Sequence, residues 1–117
     1  AQPGTAVTAF AEIGPIALLC ADIAATRSWV AATLAELTRD DEPHARLRET
    51  LLVFLTTGGS YTATADRLTL HKNTVQYRIR KAEEAVGRPI SDRRADVELA
   101  LRACKYLGTT MLTNPDP

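Results

Sequence analysis

The side chains able to do chemistry in this 117-residue chain are few, and most stand alone. His44 and His71 are its two histidines, and neither has a nucleophile or acid beside it at the spacing a catalytic constellation needs. Cys20 and Cys104 lie far apart without a C-x-x-C partner, which argues against zinc. Their apolar neighbours read as those of reduced core thiols rather than a disulfide. The acidic run Asp40-Asp41-Glu42 lacks the spaced ligands and the glycine of a calcium loop, so it reads as charge gathered at a helix start. Gly58-Gly59 is not followed by G-x-x-x-x-G-K-S/T and is a helix stop, not a phosphate loop. No catalytic residue, metal or cofactor is expected.

One stretch is different. From His71 to Lys81 the chain reads HKNTVQYRIRK, with amides, hydroxyls and cations together and no acid until Glu83 and Glu84. These are the groups that can read base edges in the major groove of DNA, each good contact being worth about 1–3 kcal/mol of discrimination. Asn73 and Gln76 suit adenine edges, and Thr74 suits a base or a phosphate. Lys72 can reach guanine or a phosphate, with His71 at the cap beside it. His71, Lys72, Asn73, Thr74 and Gln76 are therefore the candidate base readers. Arg80 and Lys81 are candidates for the DNA backbone, which sets register without reading sequence. Tyr77 could reach a phosphate through its hydroxyl or pack on a preceding helix. Arg78 leans toward the core side, and a structural pairing, with Asp66 for example, competes with a phosphate contact. Ser60 and Thr62 open the preceding helix, where free amides and hydroxyls suit a phosphate.

Helical spacing supplies the frame for these residues. Val75, Ile79, Ala82 and Val86 share one narrow stripe of a helix running from Lys72 to Val86, stopped by a left-handed Gly87. A shorter helix before it opens at Ser60, a good N-cap, and carries Ala63, Ala65 and Leu68. Thr69-Leu70-His71 is a link short enough for a helix-turn-helix. Upstream, Gly14-Pro15 permits a turn with Pro15 at a helix N1 position, Asp22 can cap, and Ile23, Val30, Leu34 and Leu37 recur at helical spacing, with Trp29 on their flank as a core aromatic. Pro43 opens a further helix through Leu47, Leu51-Leu52, Phe54 and Leu55. Downstream, Ser91 is the expected N-cap of a last helix carrying Val97, Ala100-Leu101, Cys104 and Leu107. Arg93 and Arg94 face either phosphate or solvent. Residues from Thr109 onward are expected to fray.

The fold class is accordingly all-α, a bundle of about five or six helices containing a helix-turn-helix. Residues 1–15 read as a linker or the trailing edge of an upstream domain, 16–57 as supporting helices, 58–108 as the DNA-binding unit with its closing helix, and 109–117 as a flexible tail. Aromatic residues make up 5% of the chain, too few for single-strand stacking platforms. The net charge is zero, yet residues 60–94 hold eight Lys/Arg against four Asp/Glu while residues 1–59 hold four against seven. Basic charge thus concentrates on the motif, as a small DNA reader requires. No apolar run approaches the ~18 residues of a membrane span.

The segment His71-Lys72-Asn73-Thr74-Val75-Gln76-Tyr77-Arg78-Ile79 resembles the H-R-N-T-L-x-Y-R-L of PucR/CdaR-type transcriptional regulators, within a likeness that runs from about Ala9 to Leu107. Lys72 stands where arginine is usual, which keeps the charge and loses the bidentate fork. Asp66 stands where the family tends to be neutral or basic. Fis-type helix-turn-helix domains look similar over Ser60–Ile79, and there the matching positions approach the DNA backbone. The resemblance implies the C-terminal, double-stranded-DNA-binding domain of a bacterial, cytoplasmic regulator whose effector-binding part lies upstream and is absent here. Surplus apolar faces at residues 16–37 and 95–107 suggest a homodimer. The competing reading is a helical dimerisation or interaction module whose basic helix meets an acidic protein.

Overall fold

The structure, a computed structural model, describes residues 14–114. Residues 14–19 form α1, which sets Ile16 into the core but leaves Leu18 and Cys20 exposed. Cys20 is therefore not the core thiol its neighbours suggested: a helix this short buries a single edge. What precedes Gly14 lies outside the described residues, as does most of the expected linker. Asp22 caps α2 (Ile23–Leu34), its carboxylate accepting from the Ala25 amide at 3.0 Å. The apolar stripe expected to run from Ile23 to Leu37 breaks in two places. Ile23 remains 37% exposed, and the helix ends at Ala35, whose φ of 50° turns the chain into a 3₁₀ turn over Ala35–Thr38. That turn, and not continued helix, puts Leu37 in the core. Trp29 packs half-buried against the core, as its position on the stripe suggested.

Asp41 caps α3 (Glu42–Thr56), with Pro43 in its first turn. Arg48 reaches back from α3 and donates to the Leu37 and Arg39 carbonyls, both at 2.8 Å, tying the 3₁₀ turn to the helix. Then come α4 (Tyr61–Leu68), α5 (Lys72–Val86) and α6 (Arg94–Leu107). Among the described residues these six α-helices carry the fold and no strand forms. α3 packs across α5, and α6 packs across α2. Leu34, Leu51, Val75, Val97 and Leu101 meet in the core between them, each 2% exposed or less.

Two expectations change near the end of the chain. Ser91 does not cap α6: residues Ile90–Arg93 form a 3₁₀ turn, and α6 starts three residues later without a side-chain cap. Ser91 lies inside that turn, whose first amide, that of Ile90, donates to the Glu83 carboxylate at 2.9 Å. The segment after Leu107 does not fray from Thr109. A 3₁₀ turn over Gly108–Met111 drives Met111 into the core beside α2 and α6, where it is 1% exposed. Thr113 then forms an isolated parallel bridge with Arg39, with Thr113 N–H donating to the Thr38 carbonyl and Asp40 N–H to the Thr113 carbonyl, both at 2.9 Å. An apolar side chain at position 111 gives the chain a reason to return.

The cap of α3 has a pH signature. Asp41 Oδ1 accepts from the His44 amide at 2.9 Å and lies 2.6 Å from His44 Nδ1. The backbone bond first, then the side-chain bond, holds this carboxyl below its ordinary 3.8. A depressed carboxylate stabilises the fold above its unfolded pKa, and that contribution is lost as pH falls through the folded one. An asparagine in place of Asp41 would keep a cap acceptor without a titrating proton. Urea unfolding of wild type and Asp41→Asn should therefore show a wild-type advantage at neutral pH that fades on the acid side of 3.8. A difference that stays constant across that window would contradict the assignment.

Candidate nucleic-acid interface

The α4–α5 unit is held by short-range features that the local sequence dictates. Gly58 and Gly59, at φ 74° and 83°, stop α3, and Gly59 N–H closes onto the Phe54 carbonyl at 2.9 Å. Ser60 caps α4 by accepting from the Ala63 amide at 3.0 Å. Tyr61 stacks against Phe54 with ring centroids 4.9 Å apart, and Thr62 is exposed. Beneath them Thr64 is fully buried, its hydroxyl donating to the Ser60 carbonyl at 2.7 Å and lying 3.2 Å from that of Thr57. α4 ends at Thr69, which is left-handed at φ 55°, while Leu70 N–H donates to the Ala65 carbonyl at 2.9 Å.

His71 then caps α5. Its Nδ1 accepts from the Asn73 amide at 3.1 Å, which places the ring proton on an outward Nε2. Val75, Ile79, Ala82 and Val86 are the four buried residues of α5, the stripe that helical spacing indicated. Their burial leaves Lys72, Asn73, Gln76, Tyr77 and Arg80 exposed, with Thr74 half-buried beside them. Gln76, on the flank of an ideal wheel, is fully part of the open face. Tyr77 is 50% exposed, with the Arg80 guanidinium carbon 5.4 Å and Lys81 Nζ 5.7 Å from its ring centroid. It stands at a groove of about 660 Å³ between α3 and α5, together with Pro43, His44 and Leu47. Lys81 also pairs with Glu84 at 3.2 Å.

Three arginines considered for phosphates have protein partners. Arg78 is half-buried, and its Nη1 donates to Thr50 Oγ1 of α3 at 3.3 Å, while Asp66 stays exposed. Of the two readings left open for Arg78, a structural partner is present, and it is Thr50 across the α3–α5 contact and not Asp66. Arg94 donates to the Leu55 carbonyl at 3.1 Å, and Arg93 pairs with Asp96 at 2.6 Å. Thr50 itself went unnoticed in the sequence. Its signal is a hydroxyl residue beside Leu51 on the buried side of α3, which has to find a partner because an unsatisfied buried hydroxyl costs about 1–3 kcal/mol.

Residues 47–103 match the PucR C-terminal helix-turn-helix domain. This segment is a PucR-type helix-turn-helix domain. The match starts within α3 and ends within α6, so it takes in α4, the Thr69–His71 link and all of α5. A stretch of 70 residues is 37% identical to the purine catabolism regulatory protein of Bacillus subtilis (strain 168), covering 60% of this chain and 13% of that protein. No solved structure matches the chain significantly. Among the described residues no cluster of three or more His, Cys, Asp and Glu could hold a metal, and no helix is long and apolar enough to cross a membrane.

The link of the motif carries measurable strain. A β-branched residue at positive φ costs on the order of 1 kcal/mol, which glycine relieves at some entropic expense in the unfolded chain. Thr69→Gly should raise stability by about 0.5 kcal/mol, seen as a higher urea midpoint. A lowered midpoint would show that the Thr69 side chain contributes more than its backbone loses.

Proposed function

We propose that the chain binds double-stranded DNA in a sequence-specific manner, with α5 in the major groove. The observation that carries this reading is the open face of α5. Lys72, Asn73, Gln76, Tyr77 and Arg80 are all exposed there, on a helix anchored by its opposite stripe within a PucR-type domain. Asn73 and Gln76 are the amides for adenine edges, Lys72 serves guanine or a phosphate, and the outward nitrogen of His71 and the Thr74 hydroxyl complete the base-reading end. Tyr77, Arg80 and Lys81 lie farther along the helix, where they suit the DNA backbone, and Thr62 with the Ser60 hydroxyl suits it at the start of α4.

A single helix-turn-helix has a small footprint, and such domains commonly act as two-fold pairs on half-sites about 34 Å apart. We therefore assign this chain a homodimeric, two-half-site mode of binding. The Bacillus subtilis relative is far longer than the matched stretch, which supports an effector-sensing part elsewhere in the protein from which this chain comes.

Selection of duplexes from a random library by the purified chain, followed by salt titration on the winner, tests the proposal. An inverted repeat should be recovered, with log affinity falling by about 0.9 per neutralised phosphate against log salt. Asn73→Ala should cost about 1–3 kcal/mol on the selected sequence and relax preference at one position, leaving the slope intact. Lys72→Ala separates its two roles by whether the slope or the preference changes. No enrichment, with binding no tighter than to heparin, would sink the proposal in favour of a protein-interaction module.

A further inference from the structure

We propose that Arg78 is a positioning residue: through Thr50 it sets the roll of α5 about its own axis, and it makes no contact with DNA. This deepens the DNA-reading proposal above and rests on it. Arg78 is the seventh of the fifteen residues of α5, so it acts near the middle of the recognition helix. Its neighbours Gln76, Tyr77 and Arg80 are exposed, whereas Arg78 is half-buried, with Nη1 3.3 Å from Thr50 Oγ1. Thr50 is fully buried in α3, so its hydroxyl is a fixed target. Other cations around the same groove are paired with carboxylates, Arg39 with Glu36, Arg46 with Glu42 and Lys81 with Glu84. Arg78 forms no ion pair among the described residues, and its partner is a neutral hydroxyl on the facing helix.

The geometry explains why a directional bond is useful there. Val75, Ile79, Ala82 and Val86 give α5 an apolar seat, but apolar packing is non-directional and tolerates some roll. At the ~5–6 Å radius of a helix surface, a roll of about 10° carries a side-chain tip about 1 Å. A hydrogen bond to a base edge is lost over a comparable distance. The planar guanidinium on a buried hydroxyl limits this roll at mid-helix. Glu83, bonded to the Ile90 amide, holds the end away from the reading residues.

Variants that keep volume and remove one half of the bond test this. Arg78→Met and Thr50→Val should each weaken binding to the selected duplex about 3- to 10-fold, with the salt slope unchanged. The double variant should bind no more weakly than either single one, because both break the same bond. Thr50→Ser keeps the hydroxyl and should retain wild-type affinity. A slope shallower by about 0.9 in Arg78→Met would assign the guanidinium to a phosphate and overturn the proposal. Wild-type affinity in Thr50→Val would overturn it as well. Amide exchange of the DNA-free chain supplies a second readout. Exchange through α5 should be faster in Arg78→Met and Thr50→Val and unchanged in Thr50→Ser. If wild type selects no duplex, the DNA reading falls, and this exchange pattern alone decides the clamp: unchanged exchange in both variants overturns it.

Discussion

Everything in this molecule turns on a single helix having to be buried and exposed at once. α5 is fifteen residues long, and the four side chains that enter the core give it its place. Burying them contributes on the order of 1.5–3 kcal/mol for each large aliphatic side chain. Because they recur at helical spacing, the opposite face is presented without further cost. Each surrounding element can be understood by what it does for that seat. α3 forms the floor, α4 flanks the seat from the other side, and α6 with α2 closes the core from behind.

Apolar contact alone leaves the helices free to slide and roll, and a set of polar ties removes that freedom. Thr64 locks the start of α4 to the end of α3 through Ser60 and Thr57. Arg94 reaches the Leu55 carbonyl at the same junction, and Glu83 fixes the far end of α5 to the turn that leads into α6. Arg48 does the same for the turn after α2. These ties use side chains that a charge map would assign to solvent or to phosphate. The basic character of residues 60–94 is accordingly divided: part of it holds the fold together, and Lys72 and Arg80 remain exposed.

The legible parts of the fold were those governed by neighbours three or four residues apart. The bounds of α5, its stripe, the Gly87 stop and the caps at Asp22 and Ser60 all depend on such local rules, and the structure has each of them. The illegible parts depend on partners distant in sequence. Ser91 looks like a cap until the 3₁₀ turn over Ile90–Arg93 is seen to contain it, and Cys20 looks like core until the shortness of α1 is known. The partner of Arg78 cannot be named from its neighbours, because Thr50 lies twenty-eight positions earlier. Thr109 and beyond look loose until Met111 finds space between α2 and α6. For the face of α5 itself, spacing was enough to separate inside from outside, with Gln76 on the exposed side.

The return of the chain to Arg39 and the burial of Met111 bear on how the domain is made. A growing polypeptide folds as its segments become available. All of α4 and α5 precede Met111, so the helix-turn-helix exists as chain before its core has the side chain that fills the space behind it. During synthesis there is thus an interval in which the motif is present but unsealed. The parallel bridge between Thr113 and Arg39 can be added only when that interval ends. Completion of the fold is tied to a late apolar side chain on the side of the core away from the motif.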